Sequence, residues 1–80
     1  MYKETVEYAY DLLEHFYKLN VQIISEIGTE NIEVHVPQEI YELLKCENIR
    51  TGEIYYPTQF RHIDIVPLTS TSTITFVKKQ

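Results

Sequence analysis

The sequence predicts an α+β domain, in which a long N-terminal helix packs on an antiparallel or mixed sheet of about four to five strands, with one short second helix. Two observations predict it. Apolar side chains recur at helical spacing over residues 2–19, and alternation of apolar and polar side chains marks three later segments, 32–36, 62–66 and 73–77. The whole chain, 1–80, is expected to form a single domain, because half of it would be too short to stabilise a core.

The first helix is predicted over residues 2–19 because charged and apolar side chains separate when they are placed at about 100° per residue. The charged arc contains Lys3, Glu4, Glu7, Asp11, Glu14 and Lys18. The apolar side contains Ala9, Leu12, Leu13 and Phe16, and it is about twice as wide as a surface helix needs. Tyr8 lies at one border of it and Tyr10 and Tyr17 lie at the other, so we do not expect one sheet to cover it completely.

A β-hairpin is predicted to follow this helix. Residues 21–27 are rich in β-branched side chains, which favour a strand. Residues 28–31 contain a glycine and polar side chains typical of a turn, and residues 32–36 alternate strictly between apolar and polar. Together these segments predict two antiparallel strands joined by a short turn.

The second helix is predicted over residues 37–45, because proline is tolerated at the first helical position. Its inward side chains would be Ile40, Leu43 and Leu44. Residues 49–54 then predict a tight turn between short strands, in which Gly52 adopts a positive φ.

Two more strands are predicted near the end of the sequence, at 62–66 and 73–77, with a polar loop at 69–72 between them. Pro67 ends the earlier strand or places it at a sheet edge, because proline donates no backbone hydrogen bond. The predicted core comprises Val6, Ala9, Leu13, Phe16, Ile23, Ile32, Val34, Leu43, Ile63, Ile65, Ile74 and Phe76.

Composition excludes several classes of function. Twelve acidic and seven basic residues give a net charge of −5, which argues against nucleic acid, because binding it depends on basic side chains that neutralise phosphates. No segment has the length and apolar character of a membrane span. The single cysteine, Cys46, cannot form an intramolecular disulfide, which favours a reducing, cytoplasmic location. No cofactor motif is present, and none is expected.

The strongest candidate for a binding surface is Tyr55, Tyr56, Phe60 and Arg61. Aromatic side chains and arginine are enriched at interface hot spots, because each buries a large area and keeps a polar group. Adjacent strand residues point to opposite faces, so Tyr55 and Tyr56 cannot both enter one core. The predicted partner-binding residues also include Tyr10 and Tyr17, which lie at one border of the apolar side of the first helix.

Two alternative sites remain open. Glu4, Glu7, Asp11 and Glu14 line one helix face, which is typical of a solvated surface but could also imitate the phosphates of nucleic acid in an acidic inhibitor. A small metal or acid/base site could form from His35, His62 and Asp64 if their strands are neighbours. Cys46 could act as a nucleophile beside a histidine, but no local signature of such an enzyme is present, and no enzymatic activity is expected.

The order of elements resembles the axial domain of tailed-phage major capsid proteins. The resemblance runs from the first helix through a strand, the Pro-led helix 37–44, the turn at Gly52 and the segment 62–67, and covers residues 3–77. The chain departs from that family because it lacks the long spine helix, the extended loop and the N-terminal arm. The resemblance implies a phage-type structural or assembly role and supplies no catalytic residues.

The leading hypothesis is a non-enzymatic interaction or assembly module that associates with itself or docks on another protein. An 80-residue chain without disulfides buries a smaller share of its unfolded surface than a larger domain does, and such chains are often stabilised by a partner subunit. We therefore expect a homo-oligomer or a protein complex formed through the aromatic segment and the flank of the first helix.

Overall fold

The computed structural model describes residues 2–80, with side chains from residue 7 onward. The helices are α1 (Tyr2–Leu19), α2 (Val21–Ile27) and α3 (Gln38–Glu42), and a 3₁₀ turn covers Thr29–Asn31. The strands are β1 (Ile32–Pro37), β2 (Cys46–Glu47), β3 (Ile54–Tyr55), β4 (Gln59–Phe60), β5 (Ile63–Leu68) and β6 (Thr75–Lys78). The α+β class is therefore confirmed.

Four strands form a mixed sheet in the order β4-β5-β1-β6. β1 pairs in parallel with β5 and antiparallel with β6, and β4 pairs antiparallel with β5. The remaining strands, β2 and β3, form a separate two-stranded ribbon. The condition set for a site at His35, His62 and Asp64, that their strands are neighbours, is met for β1 and β5, with Glu33 opposite Asp64.

The core lies between α1 and the face of the sheet that carries alternate residues of β1 and β5. Its fully or almost fully buried members are Ala9, Leu13, Ile24, Ile32, Val34, Val36, Leu44, Ile63, Ile65 and Ile74. Phe16, Leu43 and Phe76 of the predicted core are half-buried against this cluster, and the side chain of Val6 lies outside the described residues. Among the described residues, no helix has the length and apolarity required to cross a membrane.

The predicted strand at 21–27 is wrong, because these residues form α2. A single residue, Asn20, separates α1 from α2, which leaves no room for the chain to reverse into a sheet. The Asn20 side chain donates to the Phe16 carbonyl, and its own carbonyl accepts from the Ile24 amide. Consequently Ile24 enters the core, and Ile23, predicted to be inside, is exposed. Tertiary context here overrides the β preference of branched side chains.

The predicted second helix is shorter than expected and begins later. Pro37 is the last residue of β1 rather than the first of α3, and Cys46 opens β2 rather than ending a helix. The predicted turn with Gly52 at positive φ is confirmed, with φ 74°. Pro67 lies within β5, beyond the stretch that short β4 covers, so its missing N–H deprives no neighbouring strand of a hydrogen bond.

We predict that Leu13→Ala lowers the free energy of unfolding by about 2–5 kcal/mol, because it leaves a cavity beneath α1 in a fully buried position. The matched control is Leu19→Ala on the same helix, where the side chain is 67% exposed and the change is expected to stay within about 0.5 kcal/mol. Urea unfolding measures both. Equal losses in the two variants would contradict the placement of the core.

Candidate functional site

The β2–β3 ribbon and its connecting turn, residues 46–55, form a projection that we call the hairpin arm. Its base is attached to α1 through Tyr10, whose hydroxyl donates to the Leu44 carbonyl at 3.2 Å and lies 3.7 Å from Cys46 Sγ. Burial, and then the contact with Cys46, raises the pKa of the Tyr10 hydroxyl well above its usual range. Tyr10, predicted to bind a partner, therefore anchors the arm within its own chain.

The tip of the arm is ordered by Asn48. Its side-chain oxygen accepts from the backbone amides of Arg50 and Thr51, at 2.9 and 3.3 Å. Its backbone N–H donates to Glu53, and its carbonyl accepts from Gly52. An asparagine that satisfies the amides two and three residues onward is typical of tight turns. The conformation of the tip is therefore already ordered in the absence of a partner.

The arm exposes apolar side chains on both of its faces. Ile49 is 98% exposed at the tip, and Ile54 and Tyr55 are 58% and 55% exposed on β3. Neighbouring strand residues point to opposite faces, so Ile54 and Tyr55 expose apolar surface on both faces of the ribbon. Tyr56 follows at 41% exposed, so both members of the predicted tyrosine pair lie at the surface.

Tyr56 continues the exposed surface from the arm toward α3. Its ring stacks on Tyr41 with centroids 5.3 Å apart, and the Tyr41 hydroxyl donates to the Pro57 carbonyl at 3.2 Å. One face of the Tyr56 ring is therefore held by its own chain, which fixes the ring's orientation while the rest of it remains accessible.

Three other residues that were predicted to bind a partner, Arg61, Phe60 and Tyr17, contact one another. The Arg61 guanidinium donates to both Glu14 carboxylate oxygens, at 2.6 and 2.9 Å. It also lies over the ring of Tyr17 at 4.9 Å from the centroid and near that of Phe60 at 5.9 Å. This cluster joins α1 to β4. A bidentate arginine–carboxylate pair stacked on an aromatic ring is a geometry that lysine could not supply.

The same arginine lies in a turn with an uncommon backbone. Arg61 and His62 connect β4 to β5, and both have positive φ, 50° and 69°. A two-residue hairpin turn of type I′ requires this conformation, which usually selects asparagine and glycine. Each non-glycine residue held there costs about 1 kcal/mol or more. The contacts of Arg61 with Glu14 and Tyr17 offset that strain.

The acidic face of α1 is interrupted by this ion pair. Glu7 and Asp11 are exposed, whereas Glu14 is bound to Arg61, and the side chain of Glu4 lies outside the described residues. The Arg61 hydrogen bonds lower the pKa of Glu14. The row of carboxylates available to imitate phosphates is thus shorter than the sequence suggests.

The histidines and carboxylates of the sheet are partly brought together. Glu33 lies opposite Asp64, and His35 Nε2 lies 3.3 Å from a Glu33 oxygen. The Asp64 carboxylate accepts hydrogen bonds from Lys79 Nζ at 2.6 Å and from Gln59 Nε2 at 2.8 Å, and these bonds lower its pKa. Within residues 7–80 no group of three or more His, Cys, Asp or Glu side chains could hold a metal ion.

Sequence reasoning did not identify a groove that lies between α1, α3 and the 69–74 loop. Two adjoining cavities of about 290 and 380 Å³ share Pro37, Ile40 and Ser72. The smaller is apolar and is lined by Tyr8, Leu12, Phe16, Pro37, Ile40, Ser72, Thr73 and Ile74. The larger adds Glu39 and the hydroxyl-bearing residues Thr69, Ser70 and Thr71. We call both together the α1–α3 groove. The over-wide apolar side of the first helix was the signal for it.

We predict that His62→Gly raises the free energy of unfolding by about 0.5–1 kcal/mol. Glycine adopts a positive φ without steric cost, and this gain is only partly cancelled because glycine loses more backbone entropy on folding. The matched control is His15→Gly in the interior of α1, which is expected to lower it by about 1 kcal/mol. Thermal and urea unfolding measure both changes. A loss of stability in both variants would contradict the strained turn.

The Glu14–Arg61 pair predicts a specific pH dependence. Since the folded-state pKa of Glu14 is lowered, its carboxylate stabilises the fold above the unfolded pKa, and this contribution is lost as the pH falls through the folded pKa. Glu14→Gln should therefore flatten the loss of stability below about pH 5. Glu26→Gln removes a charge from an exposed carboxylate without an ion pair among the described residues, and should keep the wild-type slope. Identical slopes in the wild type and both variants would refute the prediction.

Comparison with known proteins does not assign the chain to a family. No protein-family model matches the chain, and no curated protein or solved structure is similar enough to count as a match. The candidate site is therefore defined by its own geometry, namely the hairpin arm, with the α1–α3 groove beside it.

Proposed function

We propose that this protein is a non-enzymatic assembly module that associates with itself through the hairpin arm. The observation that carries the proposal is the exposure of Ile49, Ile54 and Tyr55 on the hairpin arm, with exposed Tyr56 directly after it. An exposed apolar group of this kind, rimmed by polar residues, is typical of a protein-binding surface.

The form of the arm supports binding. The hydrogen bonds of Asn48 order the tip, and the stack with Tyr41 orients Tyr56, so little conformational entropy would be lost on association. The radius of gyration, 13.1 Å, exceeds the value of about 11.6 Å expected for a compact chain of this length. The chain is 39 Å in its longest dimension, which suits contact through a projection.

The surroundings of Cys46 support a non-enzymatic role. Its sulfur lies near the Tyr10 hydroxyl and the Leu44 carbonyl, at 3.7 and 3.6 Å, rather than beside the imidazole that would activate a nucleophile. The proposal places the module in the cytoplasm, where a lone cysteine stays reduced. It also retains a structural role of the phage type, which rests on the order of elements.

We predict that Ile49→Ser combined with Ile54→Ser weakens self-association at least about tenfold, because burying one such side chain contributes about 1.5–3 kcal/mol. The matched control, Leu19→Ser with Ile23→Ser, alters exposed aliphatic residues of α1 and α2 and should associate like the wild type. Sedimentation velocity over a series of concentrations measures the effect. A wild-type protein that remains monomeric at millimolar concentration would refute the proposed function.

A further inference from the structure

We propose that the hairpin arm of one copy docks into the α1–α3 groove of a second copy, so that the molecules join head to tail. This inference rests on the proposed function and names the surface that receives the arm. It assigns a binding role to the groove, whose occupant is a copy of the same chain.

The groove has the chemistry that the arm tip requires. Its apolar part is lined by Leu12, Phe16 and Ile40, which suits an isoleucine that is otherwise almost fully in water. Its other part carries the hydroxyls of Thr69, Ser70 and Ser72, which can bond to the polar groups and backbone of the turn, whereas the Thr71 hydroxyl donates to the Thr73 carbonyl. An apolar anchor surrounded by hydrogen-bonding groups is the usual composition of an interface centre.

A single copy does not fill its own groove. Tyr10 attaches the base of the arm to one side of α1, and Leu12 faces the groove. Two residues along a helix point about 160° apart, so the arm and the groove lie on opposite flanks of α1. Ile49 at the tip is 98% exposed within its own chain. The arm of another molecule can reach the groove where its own arm cannot.

Charge at the apex of the arm favours this pairing. The apex, residues 49–52, carries one charge, the guanidinium of Arg50, and the carboxylates of the arm, Glu47 and Glu53, lie behind it, nearer the base. The groove presents one charge, the carboxylate of Glu39. Neither side chain forms an ion pair among the described residues. Docking would bring the two together at the edge of an apolar contact, where opposite charges fix register and orientation.

This contact would be heterologous, because the surface on one molecule differs from the surface on the next. Such a contact leaves one free arm and one free groove after every addition, so it produces a closed ring if the rotation closes and an open filament otherwise. An arm-to-arm contact would instead stop at a symmetric dimer.

Charge exchange tests the pairing with substitutions at exposed positions. Arg50→Glu and Glu39→Arg should each weaken self-association about tenfold, because each places like charges against one another. Mixing the two variants, or combining both substitutions in one chain, should restore association, because an arginine again faces a glutamate. Sedimentation velocity at low salt provides the readout, and circular dichroism confirms that each variant is folded.

A second pair of variants tests the apolar part. Tyr8→Ser alters an exposed residue of the groove, and Ile49→Ser with Ile54→Ser alters the arm. Each should be monomeric alone, and their mixture should form a one-to-one dimer that does not grow. If the arm variant dissociates while Glu39→Arg and Tyr8→Ser associate like the wild type, the proposed function stands and this inference is overturned. If the arm variant associates like the wild type, both fail.

Discussion

The parallel pairing of β1 with β5 is the constraint on which the rest of the structure depends. Parallel neighbours cannot be joined by a tight turn, and the chain must cross over between them. Residues 38–62 make this crossover, which contains α3, the hairpin arm, β4 and the turn at Arg61. Such a crossover usually becomes one helix packed on the sheet. Here a short helix is followed by a two-stranded ribbon, which leaves Ile54 and Tyr55 of the ribbon more than half exposed.

Two contacts attach the crossover to α1, a hydrogen bond from a tyrosine hydroxyl and an arginine–carboxylate ion pair. Tyr10 fixes the base of the arm through the Leu44 carbonyl, and Glu14 fixes the β4–β5 turn through Arg61. These side chains lie four residues apart on one helix, so successive turns of α1 set the position of both parts. The positive φ values of the turn persist because α1 over-determines them. The candidate site is thus positioned by α1 although it belongs to another part of the chain.

The sequence predicted the structure correctly where a single physical signal, such as helical or strand periodicity, had no competing influence. Helical spacing in α1 and alternation in β1 and β5 predicted both the elements and most of the core, because period and burial agree there. The prediction of a strand at 21–27 was wrong because the β preference of the branched residues was outweighed by the connection of α2 to α1 through Asn20. Arg61 was predicted to bind a partner, but composition cannot distinguish an arginine that is free to do so from one bound to Glu14 across 47 residues of sequence. The over-wide apolar side of α1 indicated apolar surface that the sheet does not cover, but the groove itself forms only when three separate segments pack together, and no local pattern specifies that packing.

Head-to-tail association would also reconcile a small contact with a stable assembly. The tip of a two-stranded arm offers few residues, and interfaces of small area are weak when they act singly. Each copy also carries a net charge of −5, which opposes the approach of another copy over the Debye length of about 10 Å at 0.1 M salt. Every copy has one arm and one groove, however, so a closed ring makes as many contacts as it has members. Its final contact forms within one complex and at high effective concentration, which stabilises the ring beyond any single contact.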